Sequence, residues 1–354
     1  MKIKTKTLLD ILDHLKFVFM SNNYIEDSNY IYFNTHQGVI WAYSDTLIYR
    51  HKYVGSLADD FEIIDEEIAI PAKELFTLIK KIKKEEINVK QVGTTFCVRN
   101  GRSSNTFAIS DRMSDIKKLE IELTSNNILP ANLDYLFKTY CMYDKNDKSC
   151  KNIIFENGYV VSSDRYNITR MEFNDEDFSG RFAIRWDILK HVLDNAFTKY
   201  GCSEDILSFS KDNYELICRN DINNIFGYED YMESANEDMD YGYSIYMNKE
   251  EDIDFIDSFL LDYKTLDKKV LVDIISSHRL LILAKGNDGT QETKASITLE
   301  KYNAGEAEQF EINVDYMKLL YEKFDYFNVL DRMLYCCNVE DSIERIIVIK
   351  NLGD

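Results

Sequence analysis

The sequence predicts an α+β protein of three similar domains in tandem, each holding two helices and mainly antiparallel sheet. Three observations predict it. First, a short apolar strand runs directly into an amphipathic helix at Ile68-Ala69-Ile70-Pro71-Ala72-Lys73-Glu74-Leu75, at Phe182-Ala183-Ile184-Arg185-Trp186-Asp187-Ile188-Leu189 and at Phe310-Glu311-Ile312-Asn313-Val314-Asp315-Tyr316-Met317. Ile70, Ile184 and Ile312 hold equivalent places, 114 and 128 positions apart. Second, each helix is followed by an alternating strand, a turn and another strand, over 87–109, 206–231 and 327–352. Third, each third of the chain begins with its own helix candidate, at 5–17, 131–142 and 249–261. Short amphipathic segments resemble one another by chance, but three copies in one order with similar sequels make a repeat.

In chain order, Leu8, Leu12 and Leu15 give the first helix an apolar stripe. Residues 33–50 then read as a polar loop with Gly38, an apolar strand, Ser44-Asp45 and a second strand. Leu75, Ile79 and Ile82 keep helical spacing after the first marker strand, and Asn100-Gly101 signals a hairpin beyond it. Leu133, Phe137 and Tyr140 mark the helix that opens the second domain. The stretch 152–173 reads as three successive strands. Asn157-Gly158 supplies its first turn, because a type I′ turn needs positive φ at both central residues. Its second connection is a polar knot, Ser162-Ser163-Asp164-Arg165, matching Ser44-Asp45 in the first domain. From these residues alone, the knot suits a structural turn first, because Ser and Asp satisfy turn backbone locally, with a docking surface as the alternative. The acidic stretch 228–243 suits a surface crossing, and the domains fall at 1–125, 126–242 and 243–354.

Composition narrows the function. With 354 residues, 45% hydrophobic and 29% charged, the chain has ample material for several cores and the balance of a soluble globular protein. No apolar run reaches bilayer length and no signal peptide opens the chain, which points to the cytoplasm. Seven scattered cysteines without CxxC spacing and five dispersed histidines point to reduced thiols, no zinc framework and no cofactor. No Walker loop, nucleophile elbow or dinucleotide fingerprint is present, so the chain does not read as an enzyme. A net charge of −20 argues against nucleic acid wrapping the outside, although it leaves room for a local basic surface.

Three segments give the repeat a specific resemblance. Val160-Val161-Ser162-Ser163-Asp164-Arg165-Tyr166-Asn167-Ile168 resembles the Val-Ala-Thr-Asp-Gly-His-Arg-Leu segment of the bacterial DNA polymerase III beta subunit, the sliding clamp. Residues 310–320 resemble that family's Phe-Asn-Val-x-Tyr-Val-x-x-x-Leu strand–helix, and Ile346-Ile347-Val348-Ile349-Lys350-Asn351-Leu352 resembles its terminal Val-Val-Met-Pro-Met-Arg-Leu. The resemblance spans the whole chain in order, as a divergent member. It implies three clamp domains forming half of a ring, closed head to tail by a second copy around duplex DNA, with helices lining the hole.

The resemblance also implies an apolar groove that receives short linear peptides from the replicative polymerase, the clamp loader and repair proteins. Carried over, the groove comprises Ser163, Arg165, Tyr166, Asn167, Ile168, Ile346, Val348, Ile349, Lys350 and Leu352, with Glu229 and Glu233 from the linker. Tyr166 and Asn167 would hydrogen-bond the peptide backbone. Arg165 stands where the family has Gly, Glu229 where it has Pro, Glu233 where it has Arg, and Val348-Ile349-Lys350 where it has Met-Pro-Met. Without the groove, residues 346–352 read simply as an edge strand.

Lys73, Thr77, Lys80 and Lys84 fall at i, i+4, i+7 and i+11, a basic stripe with Lys81 beside it. Alone it fits a solvated helix face; in a clamp it would face phosphates. Lys138, Lys148, Lys190 and Lys199 supply further DNA-facing candidates. The acidic helix candidate with Glu250, Glu251, Asp252, Asp254 and Asp257 would repel DNA if it faced the hole. The resemblance places Phe107 and Ile109 against Leu260 and Leu261 of the second copy, with Arg99 and Arg102 near Asp288 and Glu292. The competing expectation is an acidic clamp-like interaction protein, or DNA mimic, that binds replication proteins without encircling DNA.

Overall fold

The computed structural model describes residues 2–20, 29–44, 46–110, 127–147, 149–156, 158–173, 181–238, 243–247, 266–276, 279–286, 292–302, 309–330 and 332–351. Leu260, Leu261, Lys148, Leu352, Asn157, Asp45, Asp288 and the helix expected at 249–261 lie outside them, as do the side chains of Lys350 and Glu292. The described helices are α1 (Thr5–Phe19), α2 (Leu57–Asp60), α3 (Ala72–Lys81), α4 (Leu133–Tyr140), α5 (Trp186–Asp194), α6 (Glu229–Asp238) and α7 (Val314–Lys323). None is long and apolar enough to cross a membrane.

All three strand-into-helix copies are present. Strand Glu67–Pro71 enters α3, Arg181–Arg185 enters α5 and Gln309–Asn313 enters α7, each without an intervening residue. Asn313 makes the last transition explicit, accepting a hydrogen bond from the Asp315 N–H at 2.8 Å as an N-cap. The three sequels are antiparallel meanders, each of three strands: Glu86–Val92, Thr95–Asn100 and Ser103–Ala108; Lys199–Cys202, Ile206–Lys211 and Tyr214–Arg219; Tyr326–Val329, Met333–Asn338 and Ile343–Val348. The architecture is α+β with antiparallel pairing throughout the described ladders, as the repeat predicts.

The chain forms two units, Met1–Leu129 with Val192–Asn220, and Pro130–His191 with Asp221–Asp354. In the first, an eight-stranded sheet joins Leu47–Lys52 to Tyr214–Arg219, so residues far apart in sequence share one ladder. A four-stranded sheet runs Lys2–Lys4, Glu86–Val92, Thr95–Asn100, Ser103–Ala108, with the last strand at its edge. Helix α1 buries Leu8, Ile11, Leu12, Leu15, Val18 and Phe19, the stripe expected of a one-sided helix, and Phe19 meets Phe76 of α3 edge-on at 6.0 Å.

Two local expectations shift. The hairpin loop is Gly101-Arg102 rather than Asn100-Gly101, because Asn100 pairs with Ser103; Gly101 takes the positive φ of +64° at the first loop position. Lys84 is not on the α3 stripe: the helix ends at Lys81 and Ile82 is already extended. The chain there is claimed by the first strand, with the Lys84 carbonyl accepting from Thr5 Oγ1 at 2.7 Å and Lys4 pairing with Glu86.

Histidine supplies this unit with acid sensitivity. His51 is buried in strand Leu47–Lys52 opposite Tyr214, whose ring is stacked on His14 of α1 at 4.1 Å. Burial, then the charge of His14, pulls the His51 pKa down to about 4. An unfolded histidine titrates near 6.5, so the unfolded chain binds the extra proton first and stability falls as pH drops from about 6.5 towards 4. The thermal midpoint is therefore expected to fall between pH 7 and 5, and His51→Gln to flatten that fall when both are followed by circular dichroism.

In the second unit one antiparallel sheet of thirteen strands runs from Arg181–Arg185 to Lys350–Asn351. The stretch 152–173 forms its predicted three strands, Asn152–Glu156, Tyr159–Ser163 and Asn167–Glu172, with Gly158 at φ +83° in the first turn. Strand Asn167–Glu172 pairs with Ile343–Val348, far along the chain. Within strand Ile343–Val348 is the fully buried Arg345, whose guanidinium donates to the Tyr140 carbonyl of α4 and lies 5.3 Å from the Phe324 ring centroid. Burial lowers its pKa to about 10, which leaves it charged at neutral pH. The segment read as a surface crossing is helix α6. Tyr228, Met232 and Ala235, at i, i+4 and i+7, are buried among Ile154, Val161, Ile168 and Ile346, and that spacing outweighs the acidic composition.

Candidate functional site

The polar knot is an ordered turn organised by Asp164. One carboxylate oxygen accepts from the N–H groups of Tyr166 and Asn167, each at 3.1 Å, and from the Asn167 side-chain amide at 2.6 Å. The other accepts from the Tyr316 hydroxyl of α7 at 2.7 Å. Burial, then this hydrogen bond, pushes the Tyr316 phenol well above its usual range, so Tyr316 is a permanent donor. Short Asx turns of this kind arise because the aspartate side chain imitates a backbone carbonyl.

Arg165 occupies the turn with φ +83°. A non-glycine residue held in a left-handed backbone is strained by about 1–2 kcal/mol, which accounts for Gly in the resembling motif. Here the side chain has replaced that freedom with ion pairs. Its Nε lies 2.8 Å from Asp144 and 3.1 Å from Asp147, and its backbone N–H donates to Ser163 Oγ at 3.2 Å. The Asp147 carboxyl is held below its ordinary pKa first by the Ser149 hydroxyl, with Arg165 a smaller cause.

The C-terminal segment runs beside this turn. Ile168 pairs with Ile346, Asn167 with Ile347, and the Val348 N–H donates to the Tyr166 carbonyl at 2.8 Å. Beyond it, the Ile349 N–H donates to the Arg332 carbonyl at 3.0 Å, and Lys350–Asn351 pairs with strand Gln309–Asn313. The tail is thus a ladder strand and the wall of a candidate groove at once. Ile168 and Ile346 form a floor, 8% and 2% exposed, while Tyr166 and Val348 stand open at 61% and 51%.

Helix α6 buries Met232 and Ala235 in the same cluster as Ile168 and Ile346. Tyr228 donates its hydroxyl to Glu156 at 2.8 Å, and Arg181 meets Glu156 at 3.0 Å and Glu229 at 3.2 Å. Glu233 is exposed on the same helix. Of the groove candidates, Ser163, Arg165, Tyr166, Asn167, Ile168, Ile346, Val348 and Ile349 come together around the turn and tail; Glu229 and Glu233 lie on α6, and Glu229 meets Arg181 at the Glu156 end of the sheet, away from the turn. Asn167 is buried with an amide N–H committed to Asp164, so Tyr166 is the exposed member of the pair expected to meet a peptide backbone. Sequence reasoning left out Tyr316, Met232, Asp144 and Asp147. The spacing 228, 232, 235 could have found Met232; the others have no local signal.

The basic candidates divide between the units. In the first, Lys73, Lys80 and Lys81 are exposed on α3, Lys84 follows it, and Lys199 is exposed on its strand. In the second, Lys138 is paired with Asp134 at 2.8 Å one helical turn away, and the Lys190 ammonium lies 5.4 Å from the Trp186 ring centroid. Among the dimer candidates, Phe107 and Ile109 are half-buried at the edge strand of the four-stranded sheet.

No protein-family model matches the chain, and no curated protein matches it in sequence. Solved structures do. A putative DNA polymerase III beta subunit from Eubacterium rectale matches with a TM-score of 0.78 over 100% of this chain and 99% of its own, at 15% identity. The DNA polymerase sliding clamp from Bacillus subtilis matches with 0.75 over 98% of each chain at 13% identity. The Helicobacter pylori beta clamp, solved bound to a DNA ligase peptide, matches with 0.71 over 99% of each at 13% identity. From end to end, this chain carries the α+β fold of the DNA polymerase III beta subunit sliding clamps.

Proposed function

We propose that the chain is a DNA sliding clamp. Three clamp domains, 1–125, 126–242 and 243–354, make half a ring; a second copy closes it head to tail around duplex DNA. The polymerase, the clamp loader and other replication proteins are tethered by short motifs in the groove of Tyr166, Ile168, Ile346 and Val348. It works in the cytoplasm and performs no chemistry. The carrying observation is the likeness to clamp structures over 98–100% of the chain. The edge strand Ser103–Ala108 supports closure, because an unpaired strand edge invites a partner. The exposed lysines of α3 support sequence-independent binding to phosphates.

A second reading draws on the net charge of −20: an acidic clamp-like protein, or DNA mimic, that binds replication proteins without a ring on DNA. One experiment separates the two. An encircling clamp stays on nicked circular DNA after loading and runs off once the circle is cut, whereas a mimic does neither. Lys73, Lys80 and Lys81 together changed to Glu are expected to weaken the salt dependence of DNA binding, by about one unit of slope for each phosphate no longer neutralised. An unchanged slope would reduce the stripe to a solubilising surface, and failure to be retained on circles would remove encirclement.

A further inference from the structure

The arginine of the turn and the arginine beside α6 already carry carboxylate partners. Arg165 meets two carboxylates, Asp144 and Asp147. Arg181 meets two more, Glu156 and Glu229. An acidic ligand approaching either guanidinium would have to displace a carboxylate already seated there. Helix α6, whose apolar side is buried in one cluster with Ile168 and Ile346, reads Glu-Asp-Tyr-Met-Glu-Ser-Ala-Asn-Glu-Asp and contains five acids and no basic residue. Its apolar side, Met232 and Ala235, is buried with Ile168 and Ile346, while Glu229, Asp230, Tyr231 and Glu233 are exposed. The buried stripe fixes which way the helix faces, so Glu229, Asp230 and Glu233 are held on its solvent side by packing. Lys350 adds one positive charge to the tail's sequence against those five.

We propose that the groove selects a peptide whose apolar anchor is flanked by lysine or arginine, with Asp230 and Glu233 of α6 as the residues that read the flank. This rests on the groove of the preceding section and adds to it the chemistry of the partner. The anchor covers the open apolar surface at Val348 and Tyr166, and the basic flank lies along α6. Like-charge juxtaposition rejects acidic motifs, and complementary charge at a rim mainly speeds encounter. An exposed aromatic, Tyr231, stands among the acids and offers a ring face to a cationic side chain.

The test uses the full-length protein and three fluorescent peptides sharing one Leu-Phe anchor, with flanks of Lys and Arg, of Ser and Gly, or of Asp and Glu. Anisotropy titrations at low and moderate salt are expected to rank basic above neutral above acidic, with about a tenfold gap between basic and neutral at low salt that narrows as salt screens it. The double variant Asp230→Lys with Glu233→Lys, both exposed, is expected to close that gap by weakening the basic peptide's binding. If neutral and acidic peptides bind as well as the basic one, the flank preference is wrong and the groove stands. If the basic preference survives in the double variant, it comes from the protein's overall charge and the assignment to α6 is overturned. If no peptide binds, including the neutral one, the groove itself is overturned and the flank preference with it.

Discussion

Removing residues 349–354 abolishes stimulation of processive synthesis and leaves the oligomeric mass unchanged: that is the expected result of the most direct test of the groove. The truncation deletes the buried Ile349, its bond to the Arg332 carbonyl and the pairing of Lys350–Asn351 with Gln309–Asn313. It spares strand Ile343–Val348, which remains paired on both sides, with Asn167–Glu172 and Met333–Asn338. The sheet therefore persists while the wall next to Val348 disappears. Primer extension with the cognate polymerase reads the first effect, and light scattering the second. Full processivity from the truncated protein would show that the tail completes an edge and nothing more.

Phe107→Asp is expected to convert the assembly to single chains of 41.6 kDa at micromolar concentration. The half-buried Phe107 belongs to the outermost strand of the four-stranded sheet, directly opposite the fully buried Phe96. A carboxylate placed where a partner's apolar surface must close would be desolvated without a counter-charge, costing several kcal/mol at the interface. In the isolated chain the same side chain can reach water, so the thermal midpoint of the monomer should change little. A wild-type protein that already scatters as a single chain, together with an inert Phe107→Asp, would remove the ring.

Much of the fold was legible because the repeat is written in short-range spacing. Ile70, Ile184 and Ile312 are each the last residue but one of a strand whose helix begins two positions on, and alternation marks the strands after them. What failed to show was decided by distant partners. Lys84 continues a helical stripe on paper, yet pairing of Lys4 with Glu86 draws the chain out of the helix first. In α6, five acids masked an apolar spacing of three residues whose burial depends on Ile168 and Ile346. The site divides in the same way. Ser163 to Ile168 could be found by motif, whereas Tyr316 reaches Asp164 across 152 positions and Asp144 answers an arginine backbone that only the folded turn reveals.

The long-range ladders set an order in time. Strand Leu47–Lys52 gains its second neighbour only when Tyr214–Arg219 exists, and Asn167–Glu172 waits for Ile343–Val348, made far later. During synthesis the chain thus carries open β-edges over long stretches, including one next to the apolar Ile168. Closing such long loops is slow, and exposed edges recruit other chains. The ladder that sets Val348 beside Tyr166 is consequently a late event in folding: no prematurely terminated chain can assemble the turn against the tail before strand Ile343–Val348 has been made.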